Sequence, residues 1–489
     1  MQMLIGGDWV SASDASEMAI LNPSTGELLG SVPAATVADV DRAVEIANEA
    51  KHRIATLPGH ERARILEAVA ARITLNREHL VALLNRENGK TFKEVDGWEI
   101  DAAARIIKGY AEEAKRLHGH AIPLNGIPDL ENSLAFTVYQ PLGVIAAIIP
   151  FNYPVELWSH KVAGGLAAGN AVITKAPEEC PLAMLEISKY FEEAGLPAGA
   201  HQILTGYGEV VGARLAEIDG VNMVSMTGST EVGRLVSAAA SRTLKKVHLE
   251  LGGSDATIIC ADVDPRIAAE ALVAGRFTSG NGQICCAVKR VFVDRKIHGA
   301  VVDRVVELTG KLSVGDHTLP DTDVGPMISP VAADRVETQI KRAVEQGATL
   351  LIGGKRDRQF IHPAVFVDVE PDNVLLREEV FGPVLPLVAF DTIDHAIEMV
   401  NDSDYGLQAS IFTNDFRSIM NASIKLQVGT VIVNHQTAMR IECLPFGGRK
   451  LSGNGVREGF LETLKDMSET KTVVFKDAFD FYATPGETS

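Results

Sequence analysis

From Gly143 onward the chain repeats a pattern that few folds accommodate: short, wholly apolar runs separated by amphipathic stretches. Residues 143–149, 171–175, 202–205, 221–227 and 246–250 read as buried strands, and 181–194, 210–216 and 231–240, with a further stretch after Ile149, read as helices. Buried strands joined by crossover helices make a parallel sheet, the architecture that binds dinucleotides outside the carboxyl ends of its strands. A second α/β alternation runs from Ala256 to about residue 440 and predicts another domain of similar build, as a chain of 489 residues requires.

Ahead of the first sheet the period is helical. Thr36-x-x-Asp39 marks a helix start, Val40, Ala43, Val44, Ala47 and Ala50 follow at helix spacing, and the pattern continues through 60–93 and 102–115. These helices are expected to cover one face of the sheet. Residues 445–455 read as a glycine-rich loop, and 470–475 alternate like an edge strand, which needs a partner and so predicts subunit pairing.

The charge balance, 46 basic against 64 acidic residues for a net of -18, opposes a nucleic-acid or anionic-membrane partner, since phosphate binding needs clustered Lys and Arg. The longest apolar run, 142–151, is too short to span a bilayer, and the first ten residues lack the basic and apolar segments of a secretory signal. Cys180, Cys260, Cys285, Cys286 and Cys443 are odd in number and not in repeated pairs, so neither a disulfide framework nor a metal site is expected, and a cytoplasmic location fits.

Five segments carry chemistry. Cys285 and Cys286 follow glycines in a loop where a thiolate can attack a carbonyl carbon and a backbone N–H can hold the oxyanion, although a cysteine alone is more often a small buried hydrophobe. Glu250, before Gly252 and Gly253, ends a strand where a partly buried carboxylate can act as general base, or else is a surface acid before a turn. Asn152 sits between Pro150 and Pro154 as a rigid amide suited to an oxyanion, though turn-forming asparagines are commoner. Lys175 and Glu178 follow the strand whose end reads the adenosine ribose, where an acid repels a 2′-phosphate, and Thr227-Gly228-Ser229 joins a strand to a helix start that suits a pyrophosphate without the full glycine fingerprint.

Seven motifs taken together resemble the aldehyde dehydrogenase superfamily from about Leu4 to Lys476: Pro-Phe-Asn at 150–152, Lys-x-x-Glu at 175–178, Thr-Gly-Ser at 227–229, Glu-Leu-Gly-Gly at 250–253, Gly-Gln-x-Cys at 282–285, Glu-x-Phe-Gly-Pro at 379–383 and Pro-Phe-Gly-Gly-x-Lys-x-Ser-Gly at 445–453. The resemblance implies a Rossmann-like NAD-binding domain (1–122 and 142–253), a second α/β catalytic domain (254–452) and a small β oligomerisation element (123–141 and 467–489) in a homodimer or homotetramer. It implies Cys285 as nucleophile, Glu250 as base, and Asn152 with the Cys285 N–H as oxyanion hole. For NAD, with NADP possible, it implies contacts from Ile149, Phe151, Lys175, Glu178, Gly208, Thr227, Gly228, Ser229, Leu251, Glu379 and Phe381.

By the same resemblance Arg105, His160, Ile284, Cys286, Arg440 and Phe446 line the substrate tunnel, with Lys108 and His435 near it. His160 and Arg440 stand where relatives acting on simple aliphatic aldehydes often carry aromatics, so the expected substrate is a small polar or anionic aldehyde, a hydroxyaldehyde or semialdehyde, unless these side chains point away or pair with acids such as Glu442. Residues 434–440 look like members acting on lactaldehyde or phosphonoacetaldehyde, but Ile284 replaces the arginine that several phosphate-recognising relatives carry before the nucleophile. The alternatives are a broad aliphatic or aromatic aldehyde dehydrogenase, a coenzyme-A-acylating relative, which typically lacks the glutamate, and a non-enzymatic NAD-binding protein, which would need neither Cys285 nor Glu250.

Overall fold

The computed structural model describes residues 1–477 and contains two seven-stranded sheets and a three-stranded one. The first sheet runs in the order Lys246–Glu250, Met223–Thr227, Val144–Ile148, Ala171–Lys175, His201–Leu204, Met3–Ile5 and Asp8–Val10. Its first five strands are parallel. Their order reverses between Val144–Ile148 and Met223–Thr227, and at such a switch point the flanking crossovers leave on opposite faces and open a crevice. Asn152 and Ser229 follow these two strands directly.

Along Val144–Ile148 the side chains alternate between two cores. Val144, Ala146 and Ile148 share a core with Val40, Ala43, Val44 and Ala47 of helix Val37–Thr56, whereas Ile145 and Ala147 belong to the core on the other face, where helix Pro154–Ala167 lies against the strand and helix Gly59–Leu75 packs outside it. Of the amino-terminal helices only Val37–Thr56 covers a face of the sheet directly; Gly59–Leu75 forms an outer layer on the other side, over the crossover helices Pro154–Ala167 and Leu182–Glu193. Thr36 and Asp39 form the expected reciprocal cap, with Asp39 N–H donating to Thr36 Oγ1 at 3.3 Å and Thr36 N–H donating back to Asp39 at 2.9 Å. The helical stretch 60–93 is broken: Gly59–Leu75 gives way at Asn76 to Arg77–Asn88, which ends on Gly89 at φ 82°.

The second sheet, Thr349–Ile352, Ala364–Val367, Val384–Phe390, Arg290–Asp294, Ala256–Ile259, Gln408–Phe412 and Thr430–Val433, is parallel apart from its first strand. Ser468–Phe475 pairs antiparallel with Leu134–Pro141 over eight register positions and forms one edge of the three-stranded sheet. Residues 478–489, assigned from the sequence to the oligomerisation element, lie outside the described residues. Among the described residues no helix is long and apolar enough to cross a membrane.

Candidate active site

Cys285 is delivered by an unusual stretch of backbone. Gly280, Asn281 and Gly282 are consecutive left-handed residues, at φ 54°, 52° and 75°. The one that is not glycine is held by its side chain: Asn281 Nδ2 donates to Gly89 O at 2.9 Å and Pro326 O at 3.2 Å, and its Oδ1 accepts from Gly325 N–H at 2.7 Å. A Cβ on Gly282 would stand 2.6 Å from the Gly382 carbonyl carbon, so no larger residue fits there. Both oxygens of Glu94 accept from Gly280 N–H at 2.8 Å, and Tyr153 OH donates to the same carboxylate. Lys289 Nζ donates to the carbonyls of Ile284 (2.8 Å) and Cys285 and lies 3.1 Å from Glu379 Oε1, which also accepts from Gly253 N–H at 3.0 Å. One ammonium thus ties the main chain at Cys285 to Glu379.

The Cys285 thiol is half-buried and is held well above its ordinary range, first by its contact with the Cys286 thiol and then by burial, with the Lys289 charge opposing. Asn152 is fixed through its backbone. Its carbonyl accepts from Lys90 Nζ at 2.5 Å, and Lys90 pairs with Glu99, whose Oε1 accepts from Val155 N–H at 2.9 Å. The side-chain oxygen of Asn152 is buried with no protein partner.

Glu250 is buried with both carboxylate oxygens unpartnered. Burial raises its carboxyl well above the usual range, the charges of Glu458 and Cys285 add to this, and those of Lys161 and Arg440 oppose it. It does not line the cavity that Cys285 faces. Its carboxylate rests against Gly447, where a Cβ would lie 2.5 Å from Oε1, next to the lining residue Phe446. A carboxyl so placed lies behind the cavity lining.

The cavity, about 280 Å³, is lined by Asn152, Cys285, Cys286, Ile284 and Phe446, with Trp98, Leu157 and Met439 on apolar walls and Arg440, Glu156 and Glu94 as its charged members. Burial alone would depress the Arg440 guanidinium, but Glu458, 2.6 Å from Nη2, and Glu156 outweigh it and keep the charge. Burial pushes the Glu156 carboxyl up against the Arg440 charge. Arg440 Nε is buried, has no hydrogen-bond partner, and stands 4.0 Å from Glu156 Oε1.

Two residues expected in the tunnel are elsewhere. Arg105 is about half exposed (49%) and pairs with Glu442 at 2.7 Å, because on helix Ile100–Ala114 the buried stripe is carried by Ala102, Ala103, Ile106 and Ile107. His160 is fully buried behind the lining, where Nδ1 meets Tyr110 OH at 3.1 Å, and desolvation drives it well below its ordinary range as a neutral core residue. His435 does reach the cavity. The sequence reading missed Glu94, Lys289, Lys161, Glu156 and Glu458. A signal existed for two of them, since Glu156 and Lys161 lie in helix Pro154–Ala167, whose residues are all buried, and buried charges need partners.

The residues at the sheet crevice fit a dinucleotide. Ser229 caps helix Thr230–Ser241, whose amino-terminal N–H groups point to the strand ends, and the Thr227 hydroxyl beside it is buried without a protein partner. Glu178 accepts from Lys175 Nζ at 3.0 Å and Gly208 N–H at 2.6 Å. Across the crevice Phe151 and Phe381 meet edge to face at 6.0 Å, and Leu251 and Ile149, which follow strands of the first sheet, are buried.

The chain matches the model of the aldehyde dehydrogenase family over residues 9–473. It is 41% identical over 472 residues to a 3-sulfolactaldehyde dehydrogenase of Priestia aryabhattai, covering 96% of this chain and 97% of that one. It is 36% identical over 476 residues to a lactaldehyde dehydrogenase of Methanococcus maripaludis, covering 96% and 99%. A glyceraldehyde-3-phosphate dehydrogenase of Methanocaldococcus jannaschii, solved with NADP, superposes with a TM-score of 0.89 at 34% identity over 94% of this chain and 99% of that one.

Proposed function

Because this chain belongs to the aldehyde dehydrogenase family, we propose that it oxidises a small polar or anionic aldehyde, a hydroxyaldehyde or semialdehyde, to the acid, with Cys285 as nucleophile, Glu250 as base and Asn152 with the Cys285 N–H as oxyanion hole. The observation that carries this reading is the shared cavity: Cys285, Asn152 and Arg440 face one space, and Glu250 abuts its wall. The Cys285 thiol gives its proton to solvent, its sulfur bonds to the aldehyde carbon, and the alkoxide oxygen is held by the Asn152 amide and the Cys285 N–H. Bound nicotinamide supplies the acceptor for the aldehyde hydride. The resulting Cys285 thioester is attacked by a water whose proton Glu250 takes, which releases the acid and restores the thiol. Glu250 favours hydrolysis over transfer to coenzyme A.

Arg440 Nε is a free buried donor on a wall that also carries Glu156. One free donor beside an acid suits a hydroxyl or a single negative charge better than a phosphate, in keeping with Ile284 before the nucleophile. The names of the two curated relatives, both of polar aldehydes, support the same class. NAD is favoured over NADP because Glu178, held by two donors, keeps a carboxylate where a 2′-phosphate would stand. The domain division given above is part of this reading, as is a homo-oligomer joined through the edge strand Ser468–Phe475.

The apolar walls of Trp98, Leu157 and Met439 favour a second reading, a broad aliphatic or aromatic aldehyde dehydrogenase. The deciding experiment is kcat/KM for hydroxyaldehydes, semialdehydes, aliphatic and aromatic aldehydes with NAD and NADP, repeated for Arg440→Ala. A polar aldehyde that leads with the native protein and loses its lead in the variant supports the first reading. Long or aromatic aldehydes leading, with the variant indifferent, overturn it.

A further inference from the structure

On the edge strand Lys246–Glu250 the side chains of positions 246, 248 and 250 share one face, since strand side chains alternate. His248 is fully buried between the other two. Its Nδ1 is 2.9 Å from Asp466 Oδ2, at the carboxyl end of helix Phe460–Asp466, and Asp466 is also bound by Lys246, 2.8 Å away. A carboxylate only accepts, so Nδ1 carries the proton and the lone pair lies on Nε2. Nε2 is buried, has no partner, and stands 3.9 Å from Glu250 Oε1, itself buried and unpartnered. Two orphaned polar atoms facing each other, a donor-capable acid and an acceptor, lie about 1 Å beyond hydrogen-bond range. Proton transfer between the two requires the Glu250 carboxyl to approach Nε2 by that distance.

We propose that His248, held by Asp466, is the residue that ionises Glu250: the O–H bond of the neutral carboxyl breaks, the proton moves to His248 Nε2, and the result is a Glu250 carboxylate beside an imidazolium paired with Asp466. The inference rests on the reading of Glu250 as the base. His248 acts through Glu250 and is a positioning residue, not a catalytic one. It answers a difficulty of the site. Burial holds the Glu250 carboxyl above its usual range and the Glu458 charge adds to this, whereas a general base must be ionised to take a proton from water. Lys161 of helix Pro154–Ala167 and Arg440 of the loop oppose them but are themselves engaged by Glu458, at 3.0 Å and 2.6 Å. Around His248 the remaining titratable groups are His160, Glu458, Asp466 and Lys246. Of these only Asp466 contacts the ring, and its negative charge stabilises an imidazolium.

The test is the pre-steady-state and steady-state formation of NADH from lactaldehyde and NAD, across pH, for the native protein, Glu250→Gln, His248→Gln and Asp466→Asn. Glu250→Gln is expected to give a burst without turnover. His248→Gln should keep the burst, slow the steady-state rate at neutral pH about tenfold, and move the acid limb of kcat about one pH unit upward, the shift that matches a tenfold change. Asp466→Asn should move the limb in the same direction by less. If both variants keep the native acid limb, or lose burst and turnover in equal proportion, the role of His248 is wrong while that of Glu250 stands. Full turnover by Glu250→Gln overturns both.

Discussion

Lys90 and Glu99, both buried, form one polar cluster with the half-buried Glu94 and Tyr153 beside Cys285 and Asn152; Arg440, Glu458, Lys161 and Glu156 form another, of which Arg440 and Glu156 line the cavity. The first spends its polar atoms on main chain: Asn152 O, Val155 N, Glu156 N and Gly280 N. None of its four side chains has a buried polar atom without a partner. The second is less complete. Arg440 Nε is unpartnered, and the side chains packed about it, Glu250, His248 and His160, leave four more such atoms: both Glu250 oxygens and the Nε2 of each histidine. A satisfied network fixes geometry, and a partly satisfied one holds donors and acceptors in reserve for substrate, water and protons. On the function proposed above, the first cluster is scaffold for the oxyanion hole and the nucleophile loop, and the second is the reactive side of the site.

The largest expected effect falls where the two clusters meet. Cys285→Ser should lower turnover by about 10⁴-fold or more, with unchanged thermal stability and unchanged quenching of protein fluorescence by NADH. Lys90→Met strips the scaffold of its cation and leaves Glu99 buried and unpaired, which should destabilise the fold by about 3–5 kcal/mol in denaturant titrations. Asn152→Ala removes the proposed oxyanion donor and should lower kcat by ~10²–10³. Arg440→Gln is the direct contrast to Lys90→Met: Glu458 keeps Lys161, so the loss of stability should stay within about 1.5–3 kcal/mol, while kcat/KM for polar aldehydes falls. Equal destabilisation by these two substitutions would break the distinction between the clusters. The smallest effect is Arg105→Ala, an exposed pair with Glu442 outside the cavity, expected to cost under about 1 kcal/mol and to leave kcat/KM unchanged.

The same contrast marks what the sequence could reveal. Asn152, Glu250 and Ser229 sit at or just past the carboxyl ends of parallel strands, so locating the strands locates the residues, and the glycines around Cys285 announce its loop. The scaffold cluster was invisible because Lys90, Glu94 and Glu99 lie in a charged stretch, where an ion reads as surface until tertiary packing buries it. Arg440 and Arg105 carry the same chemistry, and only the facing of helix Ile100–Ala114 sends Arg105 out to solvent. His160 became a core residue for a similar reason, since helix Pro154–Ala167 is enclosed on all sides. The strands Met3–Ile5 and Asp8–Val10 are three residues each, too short for alternation to register, and exist because Met3–Ile5 pairs with the edge at His201–Leu204.

The central claim is a covalent acyl-enzyme on Cys285 that only Glu250 can discharge. Mass spectrometry of peptides from Glu250→Gln protein quenched after mixing with NAD and lactaldehyde tests it most directly. The account predicts one acyl group per chain, on Cys285 and not on Cys286, formed together with one equivalent of NADH. NADH produced with no adduct on Cys285, or with the adduct on Cys286, would contradict it.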